Sequence, residues 1–290
     1  MTLEKSSPCK VNLLLNILGR RKNGFHELET VLQPVALCDT LRFESADGGV
    51  LLTCSDPRLP TDAGNLVARA ATLFRQTAGV TDGVRIHLEK RIPLAAGLGG
   101  GSGNAATTLR GLNELFGSPF SEAQLHDLAA NLGSDVPFFL QDRPALATGR
   151  GEKLEPLDAF PALRGKALLL IHPGFGIATA WAYQALAGFP EALQGRSGRA
   201  RHLVALLRTA DTRTAGAAFY NALEAPALAK YPVLALYQEF LRAHGVLATL
   251  MSGSGSTTFA VVETAAHGEE LARHLTARFG DALWTTVVPC

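Results

Sequence analysis

Three features of the sequence predict an α+β fold in two lobes. Stretches that alternate in polarity are interspersed with stretches of helical period, without the regular βαβ alternation of a doubly wound sheet. The 290 residues, 47% hydrophobic and 18% charged, suffice for two ordinary domains with apolar cores. A proline-dense stretch of weak periodicity, PLDAFPALRG over 156–165, reads as a linker near the middle. It divides the chain into an N-terminal domain over 1–157 and a C-terminal domain over 158–290.

The elements follow in order. CKVNLLLNIL (9–18) alternates, with Val11, Leu13, Leu15 and Ile17 on one face and Lys10, Asn12, Leu14 and Asn16 on the other. Asn23-Gly24 signals a tight turn, and FHELETVLQPV is its return strand. A second hairpin is expected around Asp47–Gly49, then a helix over 65–77 with Asp62 or Asn65 near its start. GVRIHLEKRIP alternates again and leads into a run of glycines. A helix over 104–116 follows and stops at Gly117, and Ser121 with Gln124 matches a capping box for the next helix. ALATGRGEKLEPL is β-like. Beyond residue 165 the pattern is a strand (167–172), helices (179–187, 200–209, 221–244), two strands around SGSGS, a helix (265–279) and a last strand (282–288).

Charge and cysteine usage narrow the function classes. The formal net charge is +1, so no global field recruits nucleic acid or an anionic membrane. The arginines over 195–213 read as the solvated face of a helix and the loop before it. Cys9, Cys38, Cys54 and Cys290 are scattered with no zinc-ligand spacing, which fits a reduced compartment. The uncharged stretches are broken by Gly, Ser and Thr, and the N-terminus has no apolar signal region. A cytoplasmic chain without membrane or nucleic-acid partners is expected.

The segment PLAAGLGGGSGNAATTL (93–109) carries the chemistry. Glycine loses more backbone entropy on folding than any other residue, so five in a row of seven need a reason. A phosphate loop of the G-x-x-x-x-G-K-[ST] type is excluded because no lysine follows. A dinucleotide fingerprint survives in letters at Gly101, Gly103 and Ala106, but Pro93 and the following Leu-Ala-Ala separate the strand from the glycines. The third reading is an anion site in which bare amides and a helix N-terminus face phosphate, with hydroxyls from Ser102 and Thr107 or Thr108. A second uncharged loop, MSGSGSTTF (251–259), lies between two strands, and two such loops suggest a phosphate chain held where the lobes meet.

These two segments resemble the phosphate-binding and C-terminal motifs of the GHMP kinases. The likeness extends through PCKVNLLLNILGRRKNGFHELETVLQPV, NLVARAA, LEKRIP, LGSDVPFFL, GEKLEPL, HPGFGIATAWAY and NALE, in the family's order over most of the chain. It is greatest for the branch acting on a small alcohol that carries a cytidine diphosphate group in the non-mevalonate isoprenoid pathway. Homoserine- or mevalonate-type members are the alternative. The resemblance implies a two-lobed GHMP-kinase-like fold with the active site between the lobes, ATP as phosphoryl donor, and Mg2+ as its companion.

The same resemblance implies roles residue by residue. Asp135 matches the catalytic base and Lys10 its cationic partner. Read from the residues alone, Asp135 also fits the cap of a short helix, and Lys10 an ordinary strand lysine. Asn65, Lys90, Pro93 and Gly97, Leu98, Gly99, Gly100, Gly101, Ser102, Gly103 and Asn104 match the ATP side. Asn12, Phe25, His26, Thr179 and Tyr183 match the side that binds the cytidine substrate, with stacking on the base and an edge contact from His26. Ser252, Gly253, Ser254 and Gly255 form the C-terminal glycine loop. Two departures from the family pattern stand out: Phe25 where tyrosine is usual, and Gly103 where serine is usual. No acidic residue is marked as a metal ligand, and the oligomeric state is not legible.

Overall fold

Strands β1 (Thr2–Arg20) and β2 (His26–Ala46) are roughly twice as long as their alternating patterns suggest. The computed structural model describes residues 2–290 and contains two compact units, each gathered from separated stretches. The first takes the chain through Cys9, Leu37–Ile92 and Gly99–Asp142. The second takes Lys10–Ala36, Pro93–Leu98 and Arg143–Cys290. Both long strands pass through both units, and the glycine run is divided after Leu98.

The first unit adds β3 (Val50–Cys54), α1 (Leu66–Ala78), β4 (Gly83–Glu89), α2 (Gly100–Leu115) and α3 (Glu122–Leu132). The hairpin expected around Asp47–Gly49 does not form. Instead β4 lies between β2 and β3, antiparallel to the former and parallel to the latter. Gly48 and Gly49, at φ 63° and 65°, carry the chain away from β2. Val84 N then donates to Gly49 O at 3.0 Å, and β4 buries Val84, Ile86 and Leu88 from this central position.

Helix α1 follows its sequence signals. The Asn65 side chain caps Val67 N, Gly79 at φ 66° ends the helix, and Val67, Ala70, Ala71 and Phe74 form the buried stripe. Such a cap contributes about 1 kcal/mol. Helix α3 begins with the capping box of Ser121 and Gln124. Helix α2 starts four residues earlier than its apolar period indicates, so Gly100, Gly101 and Gly103 lie inside it.

In the second unit, β5 (Ala145–Gly149) pairs with β2 and with β6 (Lys153–Pro156). There follow β7 (Ala167–His172), α4 (Thr179–Ala185), α5 (Pro190–Leu193), α6 (Arg199–Thr209), α7 (Thr212–Gly216) and β8 (Tyr220–Asn221). The chain ends with α8 (Glu224–Lys230), α9 (Val233–Ala243), β9 (Ala248–Met251), β10 (Thr258–Val262), α10 (Ala265–Phe279) and β11 (Trp284–Pro289). Strands β11, β7, β10 and β9 form an antiparallel sheet in that order. Leu169, Ile171, Ala260 and Val262 from this sheet pack with Leu234, Leu241, Leu271 and Leu275 in one core. Short β8 pairs in parallel with β1 at Leu14 and Leu15.

Two expectations are corrected here. The helix expected over 221–244 is broken between α8 and α9, because Pro232 forces Tyr231 out of helical geometry (φ −125°, ψ 73°). The proline stretch over 156–165 is not a solvated linker: Leu157, Phe160 and Leu163 are buried, and Pro161–Leu163 forms a short 3-10 turn. The arginines over 196–213 are solvent-exposed, as their spacing implies. Among the described residues no helix is long and apolar enough to cross a membrane.

Candidate active site

Alternation along β1 places Lys10 and Asn12 on one face, and both are buried. Lys10 Nζ donates to Asn12 Oδ1 at 2.6 Å and to Gly97 O at 2.7 Å. Its backbone N donates to Leu98 O at 3.0 Å, so the strand itself holds the start of the glycine run. Asn12 is oriented in turn by Nδ2 donating to Thr30 Oγ1 at 2.9 Å. The carbonyl and amide oxygens orient the ammonium as dipoles.

The C-terminal glycine loop completes this cluster. Ser252 Oγ donates to Gly97 O at 3.0 Å. A Cβ on Gly253 would stand 3.2 Å from Lys10 Nζ, and one on Gly97 would collide with the Ser252 carbonyl. Gly97 and Gly253 also have φ of 76° and 56°, so close approach and backbone conformation both select glycine. Asn221 Nδ2 donates to Met251 O at 2.7 Å and Gly253 O at 2.8 Å, and Thr179 Oγ1 lies 3.0 Å from Ser254 Oγ. Ser252, Gly253, Ser254 and Gly255 are therefore buried bracing around Gly97 and Lys10.

In the first unit, α2 opens at Gly99 (φ 71°) with no side-chain cap, leaving its first amides to another acceptor. Gly101 is exposed, Gly99, Gly100 and Ser102 are half-buried. Gly103 faces the other way, since a Cβ there would lie 2.6 Å from Pro8 O on β1. A serine at 103 would thus point into the strand and not toward the helix mouth. The Thr108 hydroxyl is also withdrawn, donating to Asn104 O at 2.7 Å inside the helix.

Asn104 and Lys90 are brought together by a residue that the sequence pattern did not single out. The fully buried Asp39 carboxylate accepts from Arg91 N (2.7 Å), Ile92 N (2.9 Å) and Asn104 Nδ2 (2.9 Å), and it pairs with the Lys90 ammonium. Ser7 Oγ accepts a second bond from Asn104 Nδ2 at 2.9 Å. Breaking a buried pair of this kind by removing one partner costs about 3–5 kcal/mol. A signal existed: Asp39 shares the inward period of β2 with Leu41 and Phe43, where an acid must have partners.

Asn65 spends its side chain on α1 and on Pro60 O, to which Nδ2 donates at 2.8 Å. Pro93 is half-buried and Leu98 buried where the run departs from β4. Asp135, half-buried, does not cap the following turn: Pro137–Leu140 begins at Val136 without a side-chain cap. The cap reading of this carboxylate is thereby removed.

Of the residues expected on the substrate side, the His26 and Tyr183 rings stand 5.1 Å apart at 34°. Phe25 is 52% exposed, and the Arg150 guanidinium lies 4.8 Å over its ring. Arg150 sits in a glycine turn between β5 and β6, and no periodicity marks it. Burial, and then the nearby Arg20 charge, hold the His26 pKa below its ordinary 6.5, favouring a neutral imidazole.

The model of the GHMP kinases N terminal domain matches residues 65–143, and that of the GHMP kinases C terminal region matches 203–281. The chain belongs to the GHMP kinase family. It is 42% identical to the 4-diphosphocytidyl-2-C-methyl-D-erythritol kinase of Pelotomaculum thermopropionicum, over 96% of this chain and 94% of that one. It is 40% identical to the enzyme of the same name from Desulfitobacterium hafniense, over 93% and 90%. A crystal structure of 4-(cytidine 5'-diphospho)-2C-methyl-D-erythritol kinase superposes with a TM-score of 0.82 at 37% identity, covering 99% and 100%. Homoserine kinase from Cytophaga hutchinsonii has the same fold, with a TM-score of 0.77 at 22% identity over 99% and 94%.

Proposed function

We propose that this chain is an ATP-dependent kinase that phosphorylates the C2 hydroxyl of 4-diphosphocytidyl-2-C-methyl-D-erythritol, a step of non-mevalonate isoprenoid synthesis. The hydroxyl oxygen attacks the γ-phosphorus, the bond to the β,γ-bridging oxygen breaks, and ADP leaves. The hydroxyl proton passes to Asp135, and Lys10 stabilises charge developing on the attacking and transferred oxygens. The observation that carries this reading is the aim of the buried Lys10 ammonium, fixed by Asn12 and by the Gly97 carbonyl of the glycine run.

The amides of Gly99 to Ser102 bind phosphate oxygens, and the 252–255 loop acts by holding Gly97 and Lys10 in place. Asn65 and Lys90 serve the adenine end. Phe25, His26 and Tyr183 take the cytosine, with Asn12 and Thr179 beside the rest of the substrate. Stacking tolerates any base, so the neutral His26 edge supplies the discrimination. We propose that Mg2+ would be held mainly by the phosphate oxygens, a mode in which the ion keeps waters and needs few protein donors; the Ser102 hydroxyl at the helix mouth fits that need. The chain is placed in the cytoplasm, with 1–157 and 158–290 as its two sequence domains. A coupled ADP-release assay with the cytidyl alcohol, homoserine and mevalonate tests the reading. Turnover of the cytidyl alcohol alone is expected, and preference for homoserine overturns it.

A further inference from the structure

We infer that Asp39 is a positioning residue for nucleotide binding, acting through Lys90. Within the first unit the Lys90 ammonium stands 3.4 Å from where a Cβ of Gly100 would be, beside the uncapped first turn of α2. A long lysine side chain has several rotamers, and burial alone does not choose among them. Asp39 makes the choice. Its carboxylate is fully buried, accepts two backbone N–H groups from Arg91 and Ile92, and so has a fixed orientation of its own. The same oxygen that takes the Lys90 proton donor also takes Asn104 Nδ2, tying the end of β4 to the first turn of α2.

A carboxylate is required because every group facing Asp39 is a donor: two backbone amides, one ammonium and one carboxamide NH2. Asparagine in its place must turn an NH2 toward at least one of them. Lys90 then loses its anchor and swings from Gly100, and the adenine end of the site loses a fixed positive charge. The residues proposed for the cytidine side, Phe25, His26 and Tyr183, lie in the second unit.

The inference rests on the ATP-binding reading above, and its test uses binding rather than turnover. Equilibrium affinities for ATP and for cytidine 5'-diphosphate are measured on the full chain for Asp39→Asn, Lys90→Met and the double variant. Each single change is expected to weaken ATP binding about tenfold, the scale of one lost hydrogen bond to a charged group, and to leave cytidine diphosphate affinity unchanged. In the Lys90→Met background, Asp39→Asn is expected to add less than twofold, because a residue acting through another is non-additive with it. If Asp39→Asn does not fold, the double variant removes both buried charges and supplies the comparison with Lys90→Met. The inference is overturned if Lys90→Met leaves ATP affinity intact, if the double variant loses a further tenfold, or if both ligands weaken alike. Absence of cytidine diphosphate binding in the unaltered chain would instead strike the substrate assignment, leaving the ATP measurements to decide Asp39.

Discussion

The ammonium of Lys10 lies 2.7 Å from the carbonyl oxygen of Gly97, 87 residues away in the chain. Replacing Lys10 by methionine keeps the stem and deletes the charge. The expected outcome is a kcat about 10²- to 10³-fold lower, with KM for ATP changed far less. Steady-state kinetics at saturating acceptor measure it, and a matching rise in KM with kcat intact would assign Lys10 to ground-state binding.

Asp135 caps nothing and is half-buried, so its carboxylate can be altered without dismantling a helix. Asp135→Asn is expected to lower kcat about 10²- to 10⁴-fold while the melting temperature stays within a degree or two of the unaltered chain. Single-turnover phosphoryl transfer is the measurement. Unchanged transfer would show that the proton leaves by another route.

Burial and Arg20 hold the His26 pKa below 6.5. As pH falls below 6.5 the unfolded chain takes up this proton first. The group's share of stability is therefore present above 6.5 and lost as pH falls through the lowered folded value. Acceptor KM is expected to be flat above 6.5 and to rise in the acid range, and His26→Gln to flatten that rise. A KM titration from about pH 5 to about pH 8 spans the transition.

Gly103→Ser restores the residue usual in the family but puts a Cβ 2.6 Å from Pro8 O. We expect a loss of about 1–3 kcal/mol from overpacking and no gain in kcat, since the hydroxyl points toward β1. Denaturant unfolding reads the first, and initial rates read the second.

Asn221→Ala removes two bonds that hold Met251 O and Gly253 O. Each orphaned buried acceptor costs about 1–3 kcal/mol. Faster amide hydrogen exchange across 252–257 is expected, together with a lower kcat through the loosened Gly97. Exchange unchanged in that loop would mean that the loop is held from elsewhere.

The sequence by itself determined the elements whose signals are local. Asp62 or Asn65 marks the start of α1, Ser121 and Gln124 open α3, and alternation puts Lys10 beside Asn12, because capping and side-chain period involve residues within one turn or one strand. The glycine run and its companion loop were legible as uncharged, entropy-costly segments that need a reason. Tertiary structure alone decided which strand lies beside which: β4 displaces the expected hairpin because it pairs along both edges, with β2 and β3, and buries one face, a combination no window of sequence contains. It also decided that Asp39, which no motif marks, collects four donors from distant segments, and that Arg150 covers Phe25. Such partners are chosen by packing in three dimensions, and the free energy of a buried charge depends on all of them at once.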